Sequence, residues 1–315
     1  MNKVLNIILI SLFSLTVISC SSSDTKTKTT TTTSSPLYIS VGDNGTILTS
    51  SDGTTWTSRT SGVTEKLYGV TYANSTFVVV GATGTILTSS DGTTWTSRTS
   101  GITTPIWRVT YGNDIFVTGG GNGRILTSSD NGTTWTSRTS GTSNYLNSVT
   151  YSNSTFVVVG QNGTILTSSD GITWTSRTSG TTQDISGLTF GNSTFIAVGG
   201  DDIDLDNGTI LTSSDGTTWT SRTSGATNAY WGINYGNNTF VTTGTSGSIL
   251  TSSDGTTWTS RTSGITNHIW GVTYGNSTFV TVSYAGEILT SSDGISWTSR
   301  TSGTTNILYD VTYKE

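Results

Sequence analysis

One phrase, GTILTSSDGTTWTSRTSG or a close copy of it, returns seven times along the chain, with its aspartate at positions 52, 91, 130, 170, 215, 254 and 293. Four of the six intervals are 39 residues, one is 40 and one is 45. A unit of this length cannot bury an apolar face alone, so neighbouring copies must stack to make a core. Between copies lies a second phrase, typified by YGVTYANSTFVVVG at 68–81. Together the two phrases divide into four short strands: GVTY at 69–72, TFVVVG at 76–81, TILTSS at 85–90 and TWTSRTS at 94–100. Thr, Val, Ile, Tyr, Phe and Trp fill them, and Asn, Gly, Asp and Ser punctuate the gaps. Val78, Val79 and Val80 form a continuous apolar run, as expected of a strand covered on both faces. The fourth strand alternates, with Trp95, Ser97 and Thr99 on one side and Thr96, Arg98 and Ser100 on the other, which marks an outer, half-wet strand. No segment carries helical periodicity.

Four strands in about 40 residues is the blade length of a propeller. The ends supply an independent argument. Leu37–Gly42 (LYISVG) aligns with the second strand of a unit, whereas Tyr309–Tyr313 (YDVTY) aligns with the first. One incomplete unit at each end makes one whole blade, and sharing it ties the chain into a circle that hides its sheet edges. The expected fold is therefore all-β: a seven-bladed β-propeller over 36–315, built of four-stranded antiparallel blades and closed by N- and C-terminal strands sharing one blade.

The residues before it have a different chemistry. Met1-Asn2-Lys3 is a short basic start, and Val4–Val17 is mostly apolar. That length suits a signal peptide and is too short for a finished transmembrane helix. Val17-Ile18-Ser19-Cys20 resembles a bacterial lipobox, which implies cleavage after Ser19 and lipidation of Cys20. Ser21–Ser35 (SSSDTKTKTTTTTSS) has no apolar residue, so 20–35 reads as a lipidated cysteine and a flexible tether of roughly 20 Å reach. The expected location is the bacterial cell envelope, with Ser21 after the cysteine leaning towards the outer membrane or cell surface. Cys20 is the only cysteine, so no intramolecular disulfide forms. From Cys20 onward, thirteen Lys and Arg face nineteen Asp and Glu, a formal charge of −6. A nucleic-acid binder needs a concentrated basic surface, so that class is set aside; a monomer is expected.

Ser128-Ser129-Asp130-Asn131-Gly132-Thr133-Thr134-Trp135 resembles the Asp-box, or bacterial neuraminidase repeat, S-x-D-x-G-x-x-W. The other six copies, such as Ser89-Ser90-Asp91-Gly92-Thr93-Thr94-Trp95, are one residue shorter. The chain from Leu37 to Tyr313 is similar to the Asp-box propellers, which include sialidases, sortilin-type receptors and photosystem II assembly factors. On residue chemistry the box is a turn between third and fourth strands: Asp accepts from backbone amides, Gly supplies a positive φ, and Trp anchors inward. The resemblance implies that this turn lies away from the ligand side. Seven copies cannot mark one catalytic centre, so Asp52, Asp91, Asp130, Asp170, Asp215, Asp254 and Asp293 are assigned a structural role. A sialidase resemblance would imply an arginine triad and a Tyr–Glu nucleophile pair. Seven of the nine Arg here are repeat copies on outer strands, expected to face outward, leaving Arg108 and Arg124. Only Glu65, Glu287 and Glu315 supply Glu. A retaining glycosidase needs two carboxyl groups about 5 Å apart, and no spacing here demands that.

Compared with one another, the units vary after TSG and between second and third strands. In a propeller those two loop sets share a face, and variation on a fixed scaffold is how a binding surface reads. Aromatics stand at the head of the inner strands: Tyr68, Trp107, Trp231, Trp270 and Tyr309, with Asn147 and Ser186 at the matching positions. With the once-only charges Arg108, Arg124 and Glu287 they form the candidate ligand-binding set, though the same rings could simply plug the funnel. Tyr145, Tyr230 and Tyr284 are read as residues of the neighbouring loops, and His268 as a solvated loop residue. One insertion, GGDDIDLDNG at 199–208, places Asp202, Asp204 and Asp206 at the alternate positions of a calcium loop. It lacks the usual glycine and the twelfth-position glutamate, so calcium at 201–208 is one reading and an acidic solvated loop the other; no other cofactor is indicated. The leading expectation is a non-catalytic envelope lipoprotein binding a glycan or protein partner on its variable face. The alternatives are an assembly or stability factor for an envelope complex, and a sialidase-like glycoside hydrolase.

Overall fold

The computed structural model describes residues 37–200, 208–225 and 227–315. The lipidation site Cys20, the 20–35 tether and the calcium reading at Asp202, Asp204 and Asp206 lie outside the described residues. The described strands form seven antiparallel sheets of four. Blade 1 runs outward from Leu67–Ala73 to Thr96–Arg98, and blades 2 to 6 begin at Ile106–Gly112, Leu146–Ser152, Asp184–Gly191, Tyr230–Gly236 and Ile269–Gly275. Blade 7 combines Leu308–Lys314 from the C-terminal end with Leu37–Gly42, Ile47–Ser50 and Thr57–Arg59. Its closing ladder pairs Tyr38 with Tyr313, Ile39 with Thr312 and Ser40 with Val311. Each innermost strand packs beside the next, and the last beside the first, so the ring is unbroken. The outer strand is shorter than its sequence suggests, with three residues, Thr96–Arg98 in blade 1.

The core lies between blades. Ile39 and Val41 of blade 7 pack with Leu67, Phe77, Val79 and Leu87 of blade 1, and equivalent clusters fill the other interfaces. Each blade is thus held by two neighbours, and only closure gives every one of them both. Blade 7 adds a tie of its own. Tyr38 stands where the other blades carry Phe, fully buried, and its hydroxyl donates to the carbonyl of Gly275 in blade 6.

The aspartate turn is a clamp between blades. In blade 1, Ser89 Oγ accepts from the Gly92 amide at 2.8 Å and donates to Asp91 Oδ1 at 3.0 Å. The same carboxylate oxygen accepts from the amides of Thr93 and Thr94 at 2.7 and 2.8 Å. These bonds fold the turn down onto blade 7. Gly92 has φ +75°, and a Cβ there would stand 2.7 Å from Leu37 and 2.8 Å from Ile39. Glycine is favoured by the left-handed backbone, and a larger residue would also have to displace the ends of the Leu37 and Ile39 side chains. The indole Nε1 of Trp56, Trp135, Trp219, Trp258 and Trp297 donates to the carbonyl of the turn glycine in its own copy.

The repeat arginines are not simply outward. Each lays its side chain along its sheet, so that Nε donates to the Oγ1 of a third-strand threonine, Arg98 to Thr88 at 2.8 Å for example. The other six copies repeat the bond at 2.8–2.9 Å. The register explains it. Arg98 pairs with Ile86, so its side chain shares a face with Ile86 and, two residues on, with Thr88.

Candidate functional site: an aromatic mouth on the propeller axis

Every innermost strand carries a β-bulge at the same place. In blade 1 the ladder runs Leu67 to Gly81 and then Gly69 to Val80, which leaves Tyr68 as the extra residue. The same skip leaves out Trp107, Asn147, Ser186, Trp231, Trp270 and, in the closing blade, Tyr309. A bulge re-aims the side chain of its extra residue. Seven bulges at one level therefore send seven side chains to the mouth of the axial channel. The strands come close just below it: a Cβ on Gly69 would stand 2.6 Å from the carbonyl oxygen of Trp107.

The five aromatic bulge residues are consecutive around the ring, in blades 5, 6, 7, 1 and 2. Trp231 stacks on Trp270 with ring centres 4.2 Å apart and planes 16° from parallel. Trp270 meets Tyr309 at 5.6 Å, Tyr309 meets Tyr68 at 5.1 Å, and Tyr68 meets Trp107 at 4.5 Å. Tyr145 extends the arc beyond Trp107, and the His268 ring meets Trp231 at 81° with centres 5.3 Å apart. Blades 3 and 4 interrupt it with Asn147 and Ser186, beside which stands Gln161. The cavity they line, open to the surface, measures about 570 Å³, within the range of small-molecule sites.

Charge at the mouth is paired. Arg108, the residue after the bulge in blade 2, reaches across blade 1 to Asp310, with Nε 3.8 Å from Oδ2. Its Nη1 donates to the carbonyls of Tyr68 and Trp107, the latter at 3.0 Å. Asp310 Oδ2 also accepts from the Val70 amide at 3.0 Å. Burial in the channel pushes the Asp310 carboxyl above its ordinary range, and Arg108 pulls in the opposite direction. On the rim, Lys66 Nζ lies 3.3 Å from Asp43, whose carboxylate accepts from the Tyr309 hydroxyl at 2.9 Å. Burial, reinforced by Asp43, pushes that hydroxyl up to about 12.

Of the candidate residues from the sequence, the mouth brings together Tyr68, Trp107, Arg108, Trp231, Trp270 and Tyr309. It does not take in Arg124 or Glu287. Each stands one residue before a third strand, Ile125–Ser128 or Ile288–Ser291, two strands out from the axis. Arg124 is exposed at the periphery of blade 2, and Glu287 Oε2 is held by Asn267 and Ser283 of its own blade. Two further expectations are corrected. Tyr230 is fully buried core, because it stands where other blades place Leu67 or Ile106, one residue before the bulge. His268 is half-buried against Trp231, with Nδ1 accepting from the Ser246 amide at 3.1 Å. Tyr145 and His268 stand in the variable loops that the sequence places on this face, and Gln161 opens the turn between the second and third strands of blade 3; that their side chains reach the axial cavity is decided by how those loops fold. Among the described residues, no three His, Cys, Asp or Glu side chains gather into a set that could hold a metal ion.

Residues 103–204 match the family described as the DUF6242 beta propeller domain. The chain is similar to a solved structure titled YCF48 bound to D1 peptide, with TM-score 0.65 and 18% identity over 80% of this chain and 86% of that one. It is also similar to YCF48 from Cyanidioschyzon merolae, with TM-score 0.60 and 17% identity over 77% and 88%. Both likenesses are of fold. The fold is a β-propeller. A computationally designed protein, Ika8, shares the propeller's overall path to a similar degree, with TM-score 0.63 and 14% identity over 88% and 87% of the two chains. No curated protein matches the sequence.

Proposed function

We propose that this propeller is a non-catalytic binding module, tethered to a bacterial envelope through lipid on Cys20, that takes a glycan or a protein segment in its aromatic mouth. The observation that carries this reading is the arc of five bulge-borne rings around one cavity. Flat apolar walls with a few fixed polar groups are the general make-up of a ligand site. Among the described residues, Asp310 is tied to Arg108 and the Val70 amide, Asp43 on the rim is tied to Lys66 and the Tyr309 hydroxyl, and Asp184 accepts from the Asn162 amide. None of these three described carboxylates is a free partner for the facing pair that glycoside hydrolysis needs.

The second reading is an assembly or stability factor for an envelope complex. It is favoured by the likeness to YCF48, one structure of which carries a D1 peptide by its title. Arrays of glycans and of peptides, a fluorogenic glycosidase panel and pull-down from membranes separate the readings. Replacing Trp231 and Trp270 together by Ala is expected to abolish binding while leaving cooperative melting intact. Undiminished binding in that variant would remove the mouth from the function, and turnover of any glycoside would end the non-catalytic reading. Cys20→Ser is expected to move the protein from the membrane to the soluble fraction.

A further inference from the structure

We infer that the ligand of this mouth is an uncharged saccharide end, with one apolar ring face and one hydroxyl-bearing edge; this deepens the binding reading above and rests on it. The lining is two-sided. Blades 5, 6, 7, 1 and 2 offer ring faces and edges, whereas blades 3 and 4 offer Asn147, Gln161 and Ser186. The hydrogen bonds those amides already make fix their orientation. Asn147 Nδ2 donates one hydrogen to the Ile185 carbonyl at 3.1 Å, which leaves Oδ1 as an acceptor beside its second N–H. Gln161 Oε1 accepts from the Tyr145 amide at 3.2 Å, which leaves both Nε2 hydrogens as donors. An acceptor, a donor and the Ser186 hydroxyl side by side match neighbouring sugar hydroxyls, each of which both donates and accepts. The C–H face of the same pyranose suits the aromatic arc opposite.

Charge argues in the same direction. Among the described residues, Arg108 is the ionised side chain at the cavity, and Asp310 answers it; on the rim Lys66 answers Asp43. An acidic sugar or an acidic chain end would meet no unmatched cation. A peptide read through its main chain would need open backbone groups at the mouth. Here the carbonyls of Tyr68, Trp107 and Ile185 each already accept a hydrogen bond from Arg108 or Asn147, which leaves each a single lone pair for a strand-like partner.

The test is calorimetric titration of the full-length protein with neutral trisaccharides (cellotriose, xylotriose, mannotriose, triacetylchitotriose). Sialyllactose, trigalacturonate and a random-coil peptide serve as counterparts. At least one neutral sugar is expected to bind, with Kd changing less than about twofold between about 50 and 500 mM salt, because no net charge is neutralised. Asn147→Leu and, separately, Gln161→Leu are expected to weaken it by about tenfold, the loss of one good polar contact. Two variants guard against a local folding defect in either. Binding confined to the acidic sugars and collapsing in salt, or confined to the peptide, overturns the neutral-saccharide assignment and leaves the mouth as a binding site. Silence towards every probe overturns both.

Discussion

The two faces of this ring are built on opposite terms. On one face, the aspartate turns are near copies whose polar groups are spent on one another: Ser on Asp, Asp on two amides, Trp on the turn glycine in most copies. On the other, seven equivalent positions hold Tyr, Trp, Asn, Ser, Trp, Trp and Tyr in ring order. The rings among them touch one another but leave a cavity. Where the units agree, side chains are committed inward to the scaffold, and where they differ, some are left facing outward. Sequence identity among blades is here a map of internal obligation.

Breaking the scaffold should have the largest effect. Deleting Leu308–Glu315 strips blade 7 of its innermost strand and exposes the cluster around Tyr38, Leu48 and Val282. The expected outcome is loss of cooperative thermal unfolding, measured by calorimetry, since every blade depends on two neighbours. Acid should come next, and it should act on the turn face. The Thr134 amide and hydroxyl with Ser128 hold Asp130 down to about 2, and the Thr173 and Ile172 amides with Ser168 hold Asp170 down to about 2. The other five turn aspartates are lowered in the same direction by the same kinds of bond. A carboxyl depressed in the folded state contributes stability above its unfolded pKa of about 4, and loses it as pH falls through the folded value. Melting temperature should therefore drop steeply between about pH 4 and pH 2, with as many as seven extra protons bound on unfolding. A flat profile there would mean the turns do not hold the ring. The smallest effect separates the faces within one blade. Ser89→Ala should cost about 1–2 kcal/mol in urea unfolding, by orphaning the Gly92 amide, and leave ligand affinity unchanged. Asn147→Ser at the mouth should do the reverse.

Much of the fold was legible because symmetry made it so. The offset between Leu37–Gly42 and Tyr309–Tyr313 is a statement about closure that needs no coordinates, and the closing ladder follows it residue by residue. The heads of the inner strands could likewise be picked out as Tyr68, Trp107, Trp231, Trp270 and Tyr309. Their common aim could not, because a bulge is a property of pairing: Tyr68 skips a rung only in relation to Gly81 and Val80. Arg98 shows the same limit. Alternation gave its face, but the bond to Thr88 depends on the register of a neighbouring strand. Arg124 and Glu287 were misplaced because a loop assigned to the right face can still lie too far from the axis. Tyr230 pairs as Leu67 and Ile106 do, one residue before the bulge, which makes it core and not loop.

The extra residue in each innermost strand also has a consequence for how specificity can change. Standing outside the ladder, it has no rung to lose when it is exchanged, so a new side chain can enter there without shifting the pairing of its strand, at the cost only of side-chain contacts around the mouth. The mouth is then a seven-letter word, spelled at present Y-W-N-S-W-W-Y, in which each letter is rewritten by one codon while the page it is printed on stays fixed.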